Sequence, residues 1–580
     1  MLPRKFTTGN YLLFFLLLLC FAAGDTRKEY PQDYFVSPVR HKILLSGTFG
    51  ELRSNHFHSG IDIKSSRGRV GDPLLAVADG YVSRIKISAG GYGNGIYIKH
   101  PNGYTSVYGH MLDLREDLAA YVKENQYAAE SFEQDLYPAL GRFPVTQGEE
   151  IGRMGTSGYS FGPHLHFEIR DSDTERPVNP LLFGFPMEDT RPPRMHKLKV
   201  YHLSDRRETQ REQSFNLIEK SNNVYGVRGD TLSIAAWRAG LALKVFDHHN
   251  GVSNWNGIYS LKMSIDGVPT YGFEMEDFSF MDTRYINAHL DYHEQKTDKS
   301  LYHRAYRLPG NQLDIYTETL EDGVVQLSAH RAKHIVMVAE DIVGNSATFD
   351  FWVKRSEVTP PASATYNYFL PENEQNIIDN GAIRLDAPPN TFYENVYLNY
   401  HSLRDESAGY YSNVHQIGEL LTPVHRYFEL GIRPTVTIPE ELRSKCYVAR
   451  CHKGKFSNHG GAWQGDYLTT SVRSLGDFAI RTDLTPPTIT PVSFSRDRTK
   501  SSKISFKITD NIPTSGKARD LRYRGTIDGQ WVLFEYDLKK DILIHRFDER
   551  TPRGSGTHTL RLEVTDDREN VAVYEREFVR

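Results

Sequence analysis

Three proline pairs dictate how this chain can fold. They stand in Thr190-Arg-Pro-Pro193, Val358-Thr-Pro-Pro361 and Leu484-Thr-Pro-Pro487. Each pair fixes two φ angles and withholds two backbone donors, so no sheet ladder runs through it. Such phrases make stiff joints between separately packed units. At 580 residues the chain is also too long for a single core. The joints divide it into four expected units, at 25–189, 194–357, 362–483 and 488–580.

The units read as β structure. Phe349, Phe351 and Val353 alternate with Asp350, Trp352 and Lys354, the period of a half-buried strand. Phe478 and Ile480 repeat the pattern before the third joint. The second and fourth units look like copies. Asp247 is followed by Ile265-Asp266-Gly267, and Asp510 by Ile527-Asp528-Gly529. Asp341-Ile-Val-Gly-Asn345 and Asp566-Asp-Arg-Glu-Asn570 then precede each final alternating run. Asp-Gly between strand-like runs signals a hairpin. The fourth unit has the length of an immunoglobulin-like sandwich, and the second reads as one with an insertion. Gly460-Gly461 and residues 467–472 give the third unit a β-rich reading too.

The first residues have the layout of an export signal. Arg4 and Lys5 precede an apolar stretch at 11–21, and Ala22-Ala23-Gly24 offers a small-residue cleavage site before Asp25. Residues 1–24 are therefore expected to be a signal peptide, and no later segment has the character of a membrane span. Leu19 before Cys20 fits a lipoprotein signal poorly. Periplasm, cell envelope and secreted medium all suit such a chain. Cys446 and Cys451, five apart in a strand-like stretch, fall on opposite faces and are expected to be packed thiols. The net charge is only -4 and no long Lys/Arg run occurs, so nothing points to nucleic acid.

Chemistry concentrates in the first unit. His58 and Asp62 are four apart. Gly162-Pro-His164-Leu-His166-Phe-Glu168 sets two histidines on one face of a strand, with Leu165 and Phe167 turned to a core. His110 ends Tyr108-Gly-His110 after an alternating run. Metal-dependent hydrolysis needs three protein ligands, an open position for water, a base and an oxyanion stabiliser. These residues could supply them, and spacing alone leaves His56 open as a ligand. His248-His249, His289, His293 and His303 show no spacing of ligand type and read as surface or core residues.

Taken together, His58-x-x-x-Asp62, Tyr108-Gly-His110 and Gly-Pro-His164-Leu-His166-Phe-Glu resemble the lysostaphin/LytM family of zinc endopeptidases. "LLAVADGYV" at 74–82, the run at 93–100, "VTQGEEIGRMG" at 145–155 and Asn179-Pro180 are similar to further family stretches. The likeness spans about 40–185. It implies one zinc ion per catalytic domain held by His58, Asp62 and His166. It implies His164 as the base and His110 as an aid that orients water or stabilises the oxyanion. The fold class expected is mainly β: a small antiparallel-β metallopeptidase domain with a helical insertion, then about three β-rich, immunoglobulin-like domains. The insertion is the departure from the family pattern, at 114–136, rich in Ala, Leu, Glu and Lys. It is expected beside the groove, where it narrows the groove, contacts substrate, docks a partner or is packed decoration.

The implied activity is hydrolysis of peptide cross-links in bacterial peptidoglycan. Two other readings stand beside it: a non-catalytic hydrolase activator, and an extracellular protease on other proteins. An envelope protein partner for the β-rich tail is compatible with all three. Oligomeric state has no signal in the sequence.

Overall fold

Strand alternation decides the architecture. In the computed structural model, which describes residues 28–203, 211–358, 365–404, 409–552, 554 and 556–580, short antiparallel sheets dominate. The expected signal peptide with Cys20 lies outside these residues, as does most of the middle proline joint. No helix among the described residues is long and apolar enough to cross a membrane.

The first unit is built on a sheet of nine strands. Its order is Leu45–Gly47, Ile61–Lys64, His164–Asp171, Tyr104–Gly109, Asn94–Lys99, Gly80–Ile87 and Gln134–Leu136, with two short strands off this path. A three-stranded sheet of Pro73–Leu75, Glu150–Met154 and Met111–Leu114 lies beside it. One face of the sheet is apolar: Ile61, Ile63, Leu165, Phe167 and Ile169 are all buried in one cluster.

The helical insertion is shorter than its composition suggests. The helix runs Glu116–Ala129 and stops at Glu130, whose φ of 47° is left-handed. Gln134–Leu136 then pairs with Gly80–Ile87. Leu136, inside the stretch expected to be helical, instead lies on the strand at the sheet edge.

Apolar side chains gather into four clusters. One covers residues 30–185, one 370–480 and one 504–578. The remaining cluster, mostly from 195–353, also takes in Phe49, Leu52 and Phe57 from the first unit. The second and fourth units each pair two sheets, as five and eight strands and as four and four. Their Asp-Gly hairpins match: Asp266 and Gly267 have φ of 52° and 82°, Asp528 and Gly529 of 51° and 78°. Both central residues are left-handed, as a two-residue turn between right-twisted strands requires. The aspartate loops match as well. Asn345 Nδ2 donates to Asp341 at 2.7 Å and to the Asp189 carbonyl at 3.3 Å. Asn570 Nδ2 donates to Asp566 at 2.8 Å and to the Asp483 carbonyl at 3.1 Å. The first and third proline joints are thus clamped to the sandwich that follows them. Cys446 and Cys451 lie along one strand, Cys446–His452, as thiols.

Candidate metal centre

Strand register assembles the centre. In the sheet His166 stands opposite Asp62 on one side and Gly109 on the other. Opposed residues share a face, so Asp62 and His166 meet directly. His110 follows Gly109 with φ of 60°, a left-handed turn that ends the strand run. His58 arrives from the loop before Ile61–Lys64.

Three atoms converge. His58 Nε2, Asp62 Oδ1 and His166 Nδ1 stand 3.0, 3.1 and 3.1 Å from one another. The far nitrogen of each ring is already engaged. His58 Nδ1 donates to the Thr48 carbonyl at 2.7 Å, and His166 Nε2 to Glu168 Oε1 at 2.8 Å. Those bonds occupy the far nitrogens and leave His58 Nε2 and His166 Nδ1 facing a carboxylate oxygen. One proton can serve only part of this triangle. A divalent cation serves all of it, and two imidazoles with one carboxylate suit zinc. These residues therefore fit the metal that the family resemblance implies.

A buried network holds these three side chains. Arg53 Nη2 donates to Asp62 Oδ2 and to Glu51, each at 3.1 Å, leaving Oδ1 for the convergence point. Glu168, fully buried, accepts from Ser59 at 2.6 Å, from Arg170 Nε at 2.6 Å and from Tyr92. Burial disfavours the charged form of His166, yet its bonds to Asp62 and Glu168 outweigh this and raise it to about 9. Burial opposes the Asp62 charge too, but His58 and His166 hold its carboxyl well below the usual range. Burial pushes Glu51 up to about 7, partly countered by Arg53.

His164 and His110 flank the triad. His164 Nδ1 donates to the Gly162 carbonyl at 2.8 Å, and its Nε2 lies 3.5 Å from Asp62 Oδ1. His110 Nδ1 donates to the Ser157 carbonyl at 2.8 Å, and its ring centre is 4.8 Å from that of His164. Burial, then the neighbouring His166 and His164, press His110 down to about 3. His56 sits at the rim, bonded to the Ser54 carbonyl at 2.9 Å, and is not in the triangle.

A cleft of about 900 Å³ opens over the five residues, with Phe280 and Thr283 of the second unit in its wall. The insertion helix is absent from that lining. A second cavity of about 840 Å³ adjoins it, sharing Gly91, Tyr92 and Tyr159, with Tyr523, Trp531 and Tyr536 of the last unit on its far side.

Residues 56–137 and 142–180 match peptidase family M23, and 367–483 match the Zu5-like domain. The chain carries an M23 peptidase domain. The DD-carboxypeptidase/endopeptidase Mpg of Neisseria meningitidis serogroup B is 33% identical over 161 residues, 28% of this chain and 28% of that protein. The murein hydrolase activator NlpD of Escherichia coli is 35% identical over 146 residues, 25% of this chain and 30% of that one. A solved structure, the catalytic domain of the prophage-encoded M23 protein EnpA of Enterococcus faecalis, shares 27% identity. It covers 27% of this chain and 97% of that one, with a TM-score of 0.19. The chain spans under a third of the length of the two curated relatives.

Sequence reasoning named the M23 histidines and Asp62 but passed over Glu51, Arg53 and Tyr92. Glu168 was quoted only as part of the motif, although its place two residues beyond His166 put it on the same strand face. Arg53 and Tyr92 come from loops, where no periodicity announces them.

Proposed function

We propose that this chain is a zinc-dependent endopeptidase that hydrolyses peptide cross-links of peptidoglycan. The convergence of His58 Nε2, Asp62 Oδ1 and His166 Nδ1 carries this reading. Zinc held there would supply Lewis acidity toward a water molecule and a peptide carbonyl. His164 keeps its Nδ1 proton on Gly162, so its Nε2 is a lone pair directed at the centre and suited to take a proton from the attacking water. His110 has the same tautomer, and its low basicity keeps it neutral at pH 7. That favours orienting water as an acceptor over stabilising an oxyanion as a cation. Arg53 and Glu168 position Asp62 and His166. The name of the Neisseria relative, a carboxypeptidase and endopeptidase, supports the substrate class. An exported location, in the periplasm or envelope, follows from that substrate.

Purified cross-linked peptidoglycan, digested with the full-length mature protein and read by product mass, tests the proposal. Cross-linked dimers should fall to monomers with zinc, and neither in the metal-stripped protein nor in His166→Ala. Zinc bound at the centre without cleavage of any wall peptide would transfer the chain to the activator reading that the NlpD name suggests. Cleavage that survives His166→Ala would remove the metal from the mechanism.

A further inference from the structure

The joint between the first two units contains a second cluster of ligand type. Sequence spacing made His249 an ordinary surface or core residue; the fold instead places it between Asp189 and Asp247. One ligand atom from each lies within 4.8 Å of the other two. His249 Nδ1 is 2.9 Å from Asp189 Oδ2, and Nε2 is 3.3 Å from Asp247 Oδ2. The side chains are almost dry, 0%, 2% and 4% exposed for Asp189, Asp247 and His249.

Both approaches are at ion-pair distance, yet neither has the angles of a well-formed hydrogen bond. Both ring nitrogens of His249, Asp189 Oδ2 and Asp247 Oδ1 lack a hydrogen-bond partner among the described residues. A further side chain points to the same need. Asn256 pairs with Asp247 through both backbone bonds, at 3.0 Å each, so their side chains share a face. It is fully buried, and neither its amide nitrogen nor its amide oxygen has a partner.

Nearby groups do not resolve the charge. Asp341 is buried but spends its oxygens on Val343 N, Asn345 N and Asn345 Nδ2. The Arg191 guanidinium donates to the carbonyls of His249 and Val252. Dry carboxylate oxygens with unused lone pairs call for a cation.

We propose that this joint binds one divalent metal ion through Asp189, Asp247 and His249, with Asn256 Oδ1 as a further donor, separate from the catalytic centre. Two carboxylates and an imidazole suit a zinc- or manganese-class ion better than calcium. The ion would tie the residue before the first proline joint to the end of a sandwich strand. The third joint has a related trio, Asp483, Asp510 and Asp566. There Ile512 stands two residues beyond Asp510, as His249 does beyond Asp247. None of the trio's oxygens is among the buried atoms lacking a partner, so the proposal stops at the first joint.

Equilibrium dialysis of the full-length chain against zinc, and separately manganese, followed by elemental analysis, tests this. Wild type should retain two equivalents of zinc. An Asp62→Ala/His166→Ala chain should retain one, and adding His249→Ala with Asp247→Asn should remove it. No metal on the Asp62→Ala/His166→Ala chain, with circular dichroism showing it folded, overturns the proposal. So does a full equivalent after the joint substitutions. The joint variants are not needed for this: a wild type that retains one equivalent, beside a folded Asp62→Ala/His166→Ala chain that retains none with zinc or with manganese, overturns the proposal even if the joint variants fail to fold.

Discussion

Glu168 touches no reacting group, yet it sets the tautomer of His166 through a bond of 2.8 Å. Glu168→Gln keeps the shape and removes the charge. Zinc affinity is expected to fall about 10- to 100-fold, read by competition with a chromophoric chelator. His166 also links metal to pH. Its pKa of about 9 in the metal-free chain lies above the ordinary 6.5. The protonated ring therefore stabilises the metal-free fold fully below about pH 6.5, and that contribution is lost as pH rises through about 9. Zinc needs the neutral ring, so uptake at pH 7.5 should release about one proton. Calorimetry in buffers of different ionisation enthalpy measures the release. Urea midpoints of metal-free protein at pH 6.5 and 9.5 measure the stability change, which zinc should abolish.

Among the elements, the loop before His58 depends most on a neighbour. Phe49 and Phe57 pack on Phe278, with ring centres 5.0 and 5.6 Å apart. Phe57 N donates to Thr283 Oγ1 at 2.8 Å, and Thr48, which holds His58 by its carbonyl, takes a bond from Gly257 N at 3.0 Å. The sandwich thus seats His58, a candidate metal ligand of the first unit. Phe278→Ala should cost about 3–5 kcal/mol of stability in urea titration and weaken zinc binding together with it. This dependence was invisible in the sequence, where the proline joints suggested self-contained units. The placement of the candidate ligands was legible in part, because period-two spacing fixes that His164 and His166 share a face whatever the chain packs against. Their second partners were not, since Arg53 and Tyr92 reach the site by chain reversal. The insertion was legible to Ala129. Beyond it, the edge of Gly80–Ile87 pairs with Gln134–Leu136, against the helical composition of the stretch.

For the whole molecule, the insertion helix is a clasp. Lys123 meets Asp548 at 2.7 Å and Glu549 at 2.9 Å, and Tyr127 packs edge-on to Trp531 with centres 5.1 Å apart. Lys539 Nζ donates to the Thr156 and Ser160 carbonyls at 2.8 and 2.9 Å. The last sandwich therefore returns to the first unit, and of the roles open to the insertion the structure gives it a dock within the chain itself. Lys123→Glu with Tyr127→Ala should open this contact. Hydrogen exchange in Glu116–Ala129 should quicken, while zinc content stays at the wild-type level.

Partly exposed ion pairs of this kind are worth about 0–1 kcal/mol each. Offered as a separate molecule at micromolar concentration, the last sandwich would rarely occupy its seat. Tethered by the intervening units, it is presented at an effective concentration on the order of millimolar. The far wall of the second cavity is therefore a product of covalent continuity: a proteolytic nick between the units would dissolve it without altering a single contact residue.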